Sequence, residues 1–178
     1  MTRRNASRLA LLCWLFAAAA HSQAPGQVTT ALTVKGSVER ELRLSVDDLK
    51  GLPVQRVDDV RSVRDSGGGA LAAETVRHYT GCLLRDVLDR AKPVEKKRLD
   101  LRKSVVIATA SDGYRVVFSW AELYLSPIGE GALVIYERDA APLGDDEGRI
   151  ALVSLKDTRP GPRHVKWLQS VELRVLAE

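Results

Sequence analysis

The stretch "SVVIATASDGYRVVFS", residues 104–119, constrains the fold more than any other part of the sequence. Two apolar runs rich in β-branched residues flank an Asp-Gly pair, which is typical of tight hairpin turns. The stretch therefore predicts a buried strand, a turn and an antiparallel return strand. Further short strand patterns occur at 31–35, 41–44, 131–137, 148–155 and 164–176. Because these strands outnumber the helices, and no long helix alternates with them, the predicted class is α+β with a mixed, mostly β sheet and short helices.

Three short helices are predicted between the strands. Ser45 with Asp48, and Ser119 with Glu122, have the spacing of capping boxes that begin a helix. The segment 83–91 has a single apolar helical stripe, and Thr80-Gly81 before it favours a helix start there. The segment 54–65 fits either a helix or a strand. Its position before "SGGGA" (66–70) favours one arm of a hairpin, with 70–79 as the other arm.

The first 24 residues have the order of a secretory signal peptide. A basic start, "MTRRNASR", precedes the apolar run "LALLCWLFAAAA", and small residues follow. The apolar run is too short for a bilayer span, which needs about 20 residues. We expect residues 1–24 to be removed and residues 25–178 to form one domain in a bacterial periplasm. Arg3-Arg4 leaves two export routes open, twin-arginine export of the folded protein and ordinary export of the unfolded chain. The small residues after the pair favour ordinary export.

The signal peptide also accounts for most of the excess positive charge. The whole chain has 27 basic and 23 acidic residues, and three of the arginines lie within the first eight residues. The predicted mature domain is therefore nearly neutral. A domain with this charge balance lacks the excess of positive charge that nucleic-acid binding requires, so we predict no nucleic-acid partner.

Cysteine and histidine give little support for a catalytic or metal site. Only Cys82 follows the predicted signal peptide, which excludes an internal disulfide and a multi-cysteine metal site. His78 and His164 lie far apart in sequence and have no ligand spacing. A thiol at a helix start would be reactive. The two leucines after Cys82 instead favour a role in the core.

The most informative charged segment is "LKDTRPGPRHVKW", residues 155–167. Prolines and a glycine stiffen it, and arginine forks bind phosphate or carboxylate groups in two places. Asp157 could accept two parallel hydrogen bonds from an amidine-like edge, such as that of a pterin or guanine. From composition alone, an exposed loop with internal Asp–Arg pairing is an equal alternative. The basic residues of the segment are Lys156, Arg159, Arg163 and Lys166.

Five motifs occur in order over residues 30–176: "LTVKGSVERELRLSVDDLKGLP", "YTGCLLRDVLDRA", "IATASDGYRVVFSWAEL", "GALVIYERDAAPLGDDEGRIALV" and "RPGPRHVKWLQSVEL". Together they resemble the sulfite-oxidase-type molybdopterin-binding domain. The most specific are "DGY" before a strand and the closing pattern in "GPRHVKWL". The resemblance implies that fold, and a pterin or molybdopterin cofactor held by Arg149, Arg163 and Lys166. Asp157 and Arg159 would bind the ring of a bare pterin, and Trp120 or Tyr114 would stack on it.

The chain departs from the family's enzymes where they bind molybdenum. Their cysteine ligand precedes the helix motif, and "RSVRDSGGGALAAETVRHY" (61–79) contains no cysteine. The resemblance therefore implies a periplasmic pterin-binding module, without metal, that signals to a membrane partner. One alternative is a molybdopterin-dependent oxidoreductase. Only in this alternative would Cys82 be catalytic. The other is a structural member of the fold with an empty pocket.

Overall fold

The computed structural model describes residues 26–64, 71–159 and 161–176, so the predicted signal peptide and the predicted turn at 66–70 lie outside the described residues. The described chain forms ten strands and three short α-helices, and none of these helices is long and apolar enough to span a membrane. The strands are β1 (Ala31–Gly36), β2 (Leu42–Ser45), β3 (Val54–Arg64), β4 (Leu71–Leu83), β5 (Ser104–Ala110), β6 (Arg115–Ser119), β7 (Ala132–Arg138), β8 (Ala141–Pro142), β9 (Ala151–Ser154) and β10 (Leu168–Val175). The helices are α1 (Val46–Lys50), α2 (Leu84–Ala91) and α3 (Trp120–Tyr124).

The first sheet has the strand order β2-β1-β10-β5-β6. β1 and β10 run parallel, and the other neighbours are antiparallel, so the predicted mixed sheet is confirmed. The predicted hairpin is β5–β6, in which Val106 faces Phe118. Burial alternates strictly along β5, because one face of this sheet packs on the core and the other is partly exposed.

The second sheet has the order β3-β4-β7-β8, and β9 pairs with β7 along the same edge as β8, opposite β4. β3 and β4 form the predicted hairpin, so the ambiguity over residues 54–65 is resolved in favour of a strand. The first five residues of β7 are all buried, as expected of a strand covered on both faces.

The main core lies between one face of each sheet and the apolar side of α2. All four residues of the predicted α2 stripe are buried: Leu84, Val87, Leu88 and Ala91. Both predicted capping boxes are present, at the starts of α1 and α3. A smaller apolar cluster around Tyr79 and Leu133 covers the other face of the second sheet.

The predicted helix at 83–91 is confirmed to within one residue, but Thr80-Gly81 does not act as its start signal. β4 continues through Leu83, because Gly81, Cys82 and Leu83 pair with Ile135, Val134 and Leu133 of β7. The helix begins only at Leu84, and no side chain caps it. A Cβ at Gly81 would overlap the Val134 carbonyl oxygen, so this position requires the close backbone approach that glycine allows.

Candidate functional site

The basic segment is a loop that carries the chain from the second sheet to the first. It leaves β9, and it returns at Val165, whose amide and carbonyl both bond to Leu152 at 2.9 Å or less. Trp167 then takes a left-handed conformation, with φ of 48°. Because this crossover interrupts the pairing, the predicted closing strand begins at Leu168 and not at His164.

Arg163 is the centre of the loop's polar contacts. Its Nε donates to Asp157 Oδ2 at 2.8 Å, and its Nη2 donates to the other oxygen of the same carboxylate. Its Nη1 donates to Glu122 Oε1 at 3.0 Å. The guanidinium also lies over the Phe118 ring, 4.3 Å from the ring centroid. The Arg163 side chain is only 20% exposed, so these contacts are shielded from water.

The pKa shifts agree with this geometry. The hydrogen bonds to Asp157, followed by those to Glu122, raise the pKa of Arg163 against the effect of burial. Burial alone would raise the pKa of Glu122, but hydrogen bonds from Ser119 and Arg163 outweigh it, and that pKa is lowered. Both oxygens of Asp157 are already engaged. The loop therefore has the internal Asp–Arg pairing that composition left open, formed by two of the predicted ligand-binding residues.

The other predicted ligand-binding residues, Arg159, Lys166 and Arg149, lie in different surroundings from Arg163. Arg159 is exposed and makes no hydrogen bond or ion pair with any described residue. Lys166 Nζ lies 3.6 Å from Glu147 Oε1. Arg149 Nη2 lies 2.7 Å from Asp145, and its Nη1 donates to the Leu143 carbonyl at 3.1 Å. The five predicted residues therefore comprise the Asp157–Arg163 pair, the exposed Arg159, and two cations, Arg149 and Lys166, that contact residues of the 143–149 loop.

Glu147 is the polar residue that sequence reasoning missed. Its side chain is 3% exposed and lies 2.9 Å from Arg138 Nη1 and 2.8 Å from His164 Nε2. Its carbonyl accepts from the Trp167 amide at 2.7 Å. Glu147 thus joins the 143–149 loop to the crossover. Local sequence could not identify it, because Asp145 and Asp146 beside it are exposed.

Of the two aromatic residues predicted to stack on a ligand, one borders the basic loop and the other packs against the core. The Tyr114 hydroxyl donates to the Pro162 carbonyl, so this exposed ring borders the loop. The Trp120 ring stacks on Tyr124 with centroids 3.7 Å apart and packs against the core. Of the two, Tyr114 has the position from which a ring could cover a ligand at the loop.

Cys82 does not have the surroundings of a metal ligand or a nucleophile. It is 0% exposed, and its sulfur lies 3.9 Å from the Val134 carbonyl oxygen. Burial raises the pKa of its thiol to about 12. It pairs within β4, just before the N-cap of α2, and burial outweighs any effect of the helix start on its thiolate. Among the described residues, no group of three or more His, Cys, Asp and Glu side chains is arranged to hold a metal.

Comparison with known proteins identifies the fold. The solved structure of the sulfane dehydrogenase SoxCD from Paracoccus pantotrophus matches with a TM-score of 0.60 and 18% sequence identity. The match covers 83% of this chain and 38% of that chain. Comparison with curated proteins gives no significant match. A family profile described as "Oxidoreductase molybdopterin binding domain" matches residues 21–176. The predicted fold is therefore confirmed, and the chain belongs to the oxidoreductase molybdopterin-binding domain family.

Proposed function

We propose that the chain is a pterin-binding domain that does not hold molybdenum through a protein thiolate. The observation that carries this proposal is the burial of Cys82, the only cysteine after residue 13. A thiolate ligand must be deprotonated and must face the cofactor. Cys82 meets neither condition, so the residues present do not fit the metal end of the family's cofactor.

The residues do fit the pterin end. A pterin's amino group and adjacent ring N–H can donate two parallel hydrogen bonds to one carboxylate. Arg163 makes the same pattern with Asp157 in the structure. We infer that the ligand's edge replaces Arg163 at Asp157, and that Arg163 then moves towards the carbonyl oxygen and ring nitrogens. Arg159, which has no partner among the described residues, would add a second donor.

Arg149 and Lys166 are assigned to the polar end of the ligand. Arg149 is the last residue of the 143–149 loop and Lys166 contacts that loop, and their side chains are 44% and 42% exposed. Each is held at one carboxylate and one backbone carbonyl, so each is positioned while part of its charge remains accessible. The proposed ligand would therefore lie across the crossover, between Asp157 and these two cations.

The periplasm and a membrane signalling partner complete the proposal. The signal-peptide pattern of residues 1–24 supports export. A domain that binds a pterin without a redox metal could report its bound state to such a partner.

The alternative is a molybdopterin-dependent oxidoreductase. The family match and the name of the SoxCD neighbour favour it. This chain spans only 38% of that protein, whose dehydrogenase activity belongs to the whole enzyme. A structural member with an empty pocket is the third reading, and the closed Asp157–Arg163 pair favours it.

One experiment separates the three readings. The protein is purified from its own periplasm, molybdenum is measured by elemental analysis, and pterin is measured by fluorescence after acid release and oxidation. We expect pterin without molybdenum. Equal amounts of molybdenum and pterin would establish the oxidoreductase, and the absence of both would leave an empty pocket.

A variant tests the assignment of Asp157. We expect Asp157→Asn to lower pterin affinity at least tenfold, because an amide cannot accept two parallel hydrogen bonds and carries no charge. The matched control is Asp47→Asn, the same change at an exposed carboxylate on α1. Equal affinity in the Asp157→Asn protein would refute the site while leaving the family membership intact.

A further inference from the structure

A second charged surface lies at the far end of β10 from the candidate site. β10 has eight residues, so its first and last residues are separated by about 23 Å at the usual rise per residue. A cavity of about 510 Å³ opens there, between the segment 94–103, Ser37 and the end of β10. Its lining consists of Ser37, Val94, Lys96, Lys97, Arg98, Asp100, Lys103, Val175 and Leu176.

This region concentrates positive charge in a domain that is otherwise nearly neutral. Residues 92–103 contain six basic and two acidic residues. Lys92 is paired with Glu39 at 2.9 Å. Lys96, Lys97 and Arg98 are exposed and form no side-chain ion pair with any described residue.

The two acidic residues of the segment bond to backbone amides and form no ion pair with these three cations within the described residues. Glu95 accepts a hydrogen bond from the Leu99 amide, and Asp100 Oδ2 accepts one from the Lys97 amide at 2.7 Å. Both carboxylates therefore bond the backbone of their own loop. They fix its shape, and they leave the three consecutive cationic side chains available to a ligand.

The loop is ordered before any ligand arrives. Leu99 has a left-handed backbone with φ of 72°, and its carbonyl accepts from the Lys103 amide at 3.2 Å. The Lys103 carbonyl in turn accepts from the Leu176 amide at 3.1 Å, which joins the loop to the end of β10. Ordering in advance reduces the entropy that binding would cost.

Apolar groups lie beside the cations. Leu99 is 40% exposed and Leu176 is 52% exposed, and Val94 and Val175 line the cavity. Inorganic phosphate would contact only the cationic side chains and would leave these apolar groups without a partner. Cations beside exposed leucines match the boundary between anionic headgroups and acyl chains at a membrane surface.

We propose that this basic cavity binds the phosphate of an anionic phospholipid headgroup at a membrane surface. Lys96, Lys97 and Arg98 contact the phosphate, while Leu99 and Leu176 contact the outermost acyl carbons. The proposal is independent of the pterin assignment, since the two surfaces lie at opposite ends of β10. A ligand at the crossover could therefore be bound while the other end of the domain contacts a membrane.

The test measures co-sedimentation of the protein with vesicles of phosphatidylcholine alone and with mixed phosphatidylglycerol–phosphatidylcholine vesicles. We expect binding only to the mixed vesicles, and weaker binding as salt increases. Joint replacement of Lys96, Lys97 and Arg98 by Gln should weaken that binding about 100-fold, given the contribution of each cation near an anionic surface. The matched control replaces Arg43, Arg56 and Arg115 by Gln, which removes the same charge from exposed positions outside the cavity.

Specific outcomes would overturn the proposal. Failure to bind the mixed vesicles, or equal weakening by both triple variants, would refute a specific headgroup site. Binding of soluble glycerol phosphate without vesicle binding would show a free phosphorylated ligand and refute the lipid source. All six replaced side chains are exposed, so both variants should fold, and far-UV circular dichroism verifies this.

Discussion

At the residue scale, Glu147 is the charged group on which the two site loops most depend. It lies almost fully buried against Arg138 and His164. Burial would raise its pKa, but the hydrogen bond from His164 and the neighbouring positive charges outweigh burial, and the pKa falls below its ordinary value of 4.5. A carboxyl group with this shift binds protons more weakly when folded. Its stabilisation is therefore present above about pH 4.5 and is lost as the pH falls further.

Replacement of Glu147 by Gln tests this dependence. We expect the free energy of unfolding to fall by about 3 kcal/mol at neutral pH, because a buried group of charges loses one partner. We also expect a smaller loss of stability below about pH 4.5 than in the unaltered protein. Denaturant unfolding at both pH values measures the two effects. Glu172→Gln, at an exposed pair with Arg174, is the control and should change stability by less than about 1 kcal/mol. Parallel pH profiles for the Glu147→Gln and unaltered proteins would contradict the prediction.

At the element scale, the two capping boxes offer a matched comparison. α1 and α3 begin with the same arrangement, in which the Ser45–Asp48 and Ser119–Glu122 pairs exchange hydrogen bonds. Only Glu122 also accepts from Arg163, at 3.0 Å. Glu122 therefore joins the start of α3 to the basic loop through a hydrogen bond, whereas the hydrogen bonds described for the Asp48 side chain are all with Ser45 at the start of its own helix.

We expect Glu122→Ala and Asp48→Ala each to lose about 1 kcal/mol from the cap. Glu122→Ala should lose about 1 kcal/mol more, because its half-exposed pair with Arg163 is also removed. A double-mutant cycle with Arg163→Ala, followed by denaturant unfolding, measures this interaction. The coupling should be near zero between Arg163 and Asp48. Equal coupling energies in the two cycles would show that Glu122 does not hold the loop.

Local patterns predicted the elements that depend on neighbours in sequence. The α2 stripe, both capping boxes and the 104–119 hairpin need only residues a few positions apart. The role of Thr80-Gly81 as a helix-start signal was predicted wrongly, because β7, which extends β4 through Leu83, lies some fifty residues away. Glu147 was missed for the same reason: Arg138 and His164 select it from an acidic run through long-range contacts.

At the scale of the whole molecule, the two sheets share a core but differ in how far they extend from it. β10 lies between β1 and β5 in the first sheet, and the crossover at 165–168 joins it to the second. In the second sheet, β4 pairs with β7 only from Tyr79 to Leu83. Over 71–78, the described pairing of β4 is with β3 alone, so this part of the hairpin forms a two-stranded arm.

The arm should be separable from the fold. Val60 and Val76 face each other across it and are 54% and 44% exposed, so this pair adds little burial. Asp59 and Arg77 are also directly opposed, which allows Asn-Gly to replace residues 60–76 as a two-residue hairpin turn. We expect the free energy of unfolding to stay within about 1 kcal/mol of the original, because such a change in loop length costs little entropy. Urea unfolding measures this, and Leu133→Ala in the same sheet should lose about 2–5 kcal/mol as a buried control. A loss in the shortened protein as large as that of the control would show that the arm packs on the core.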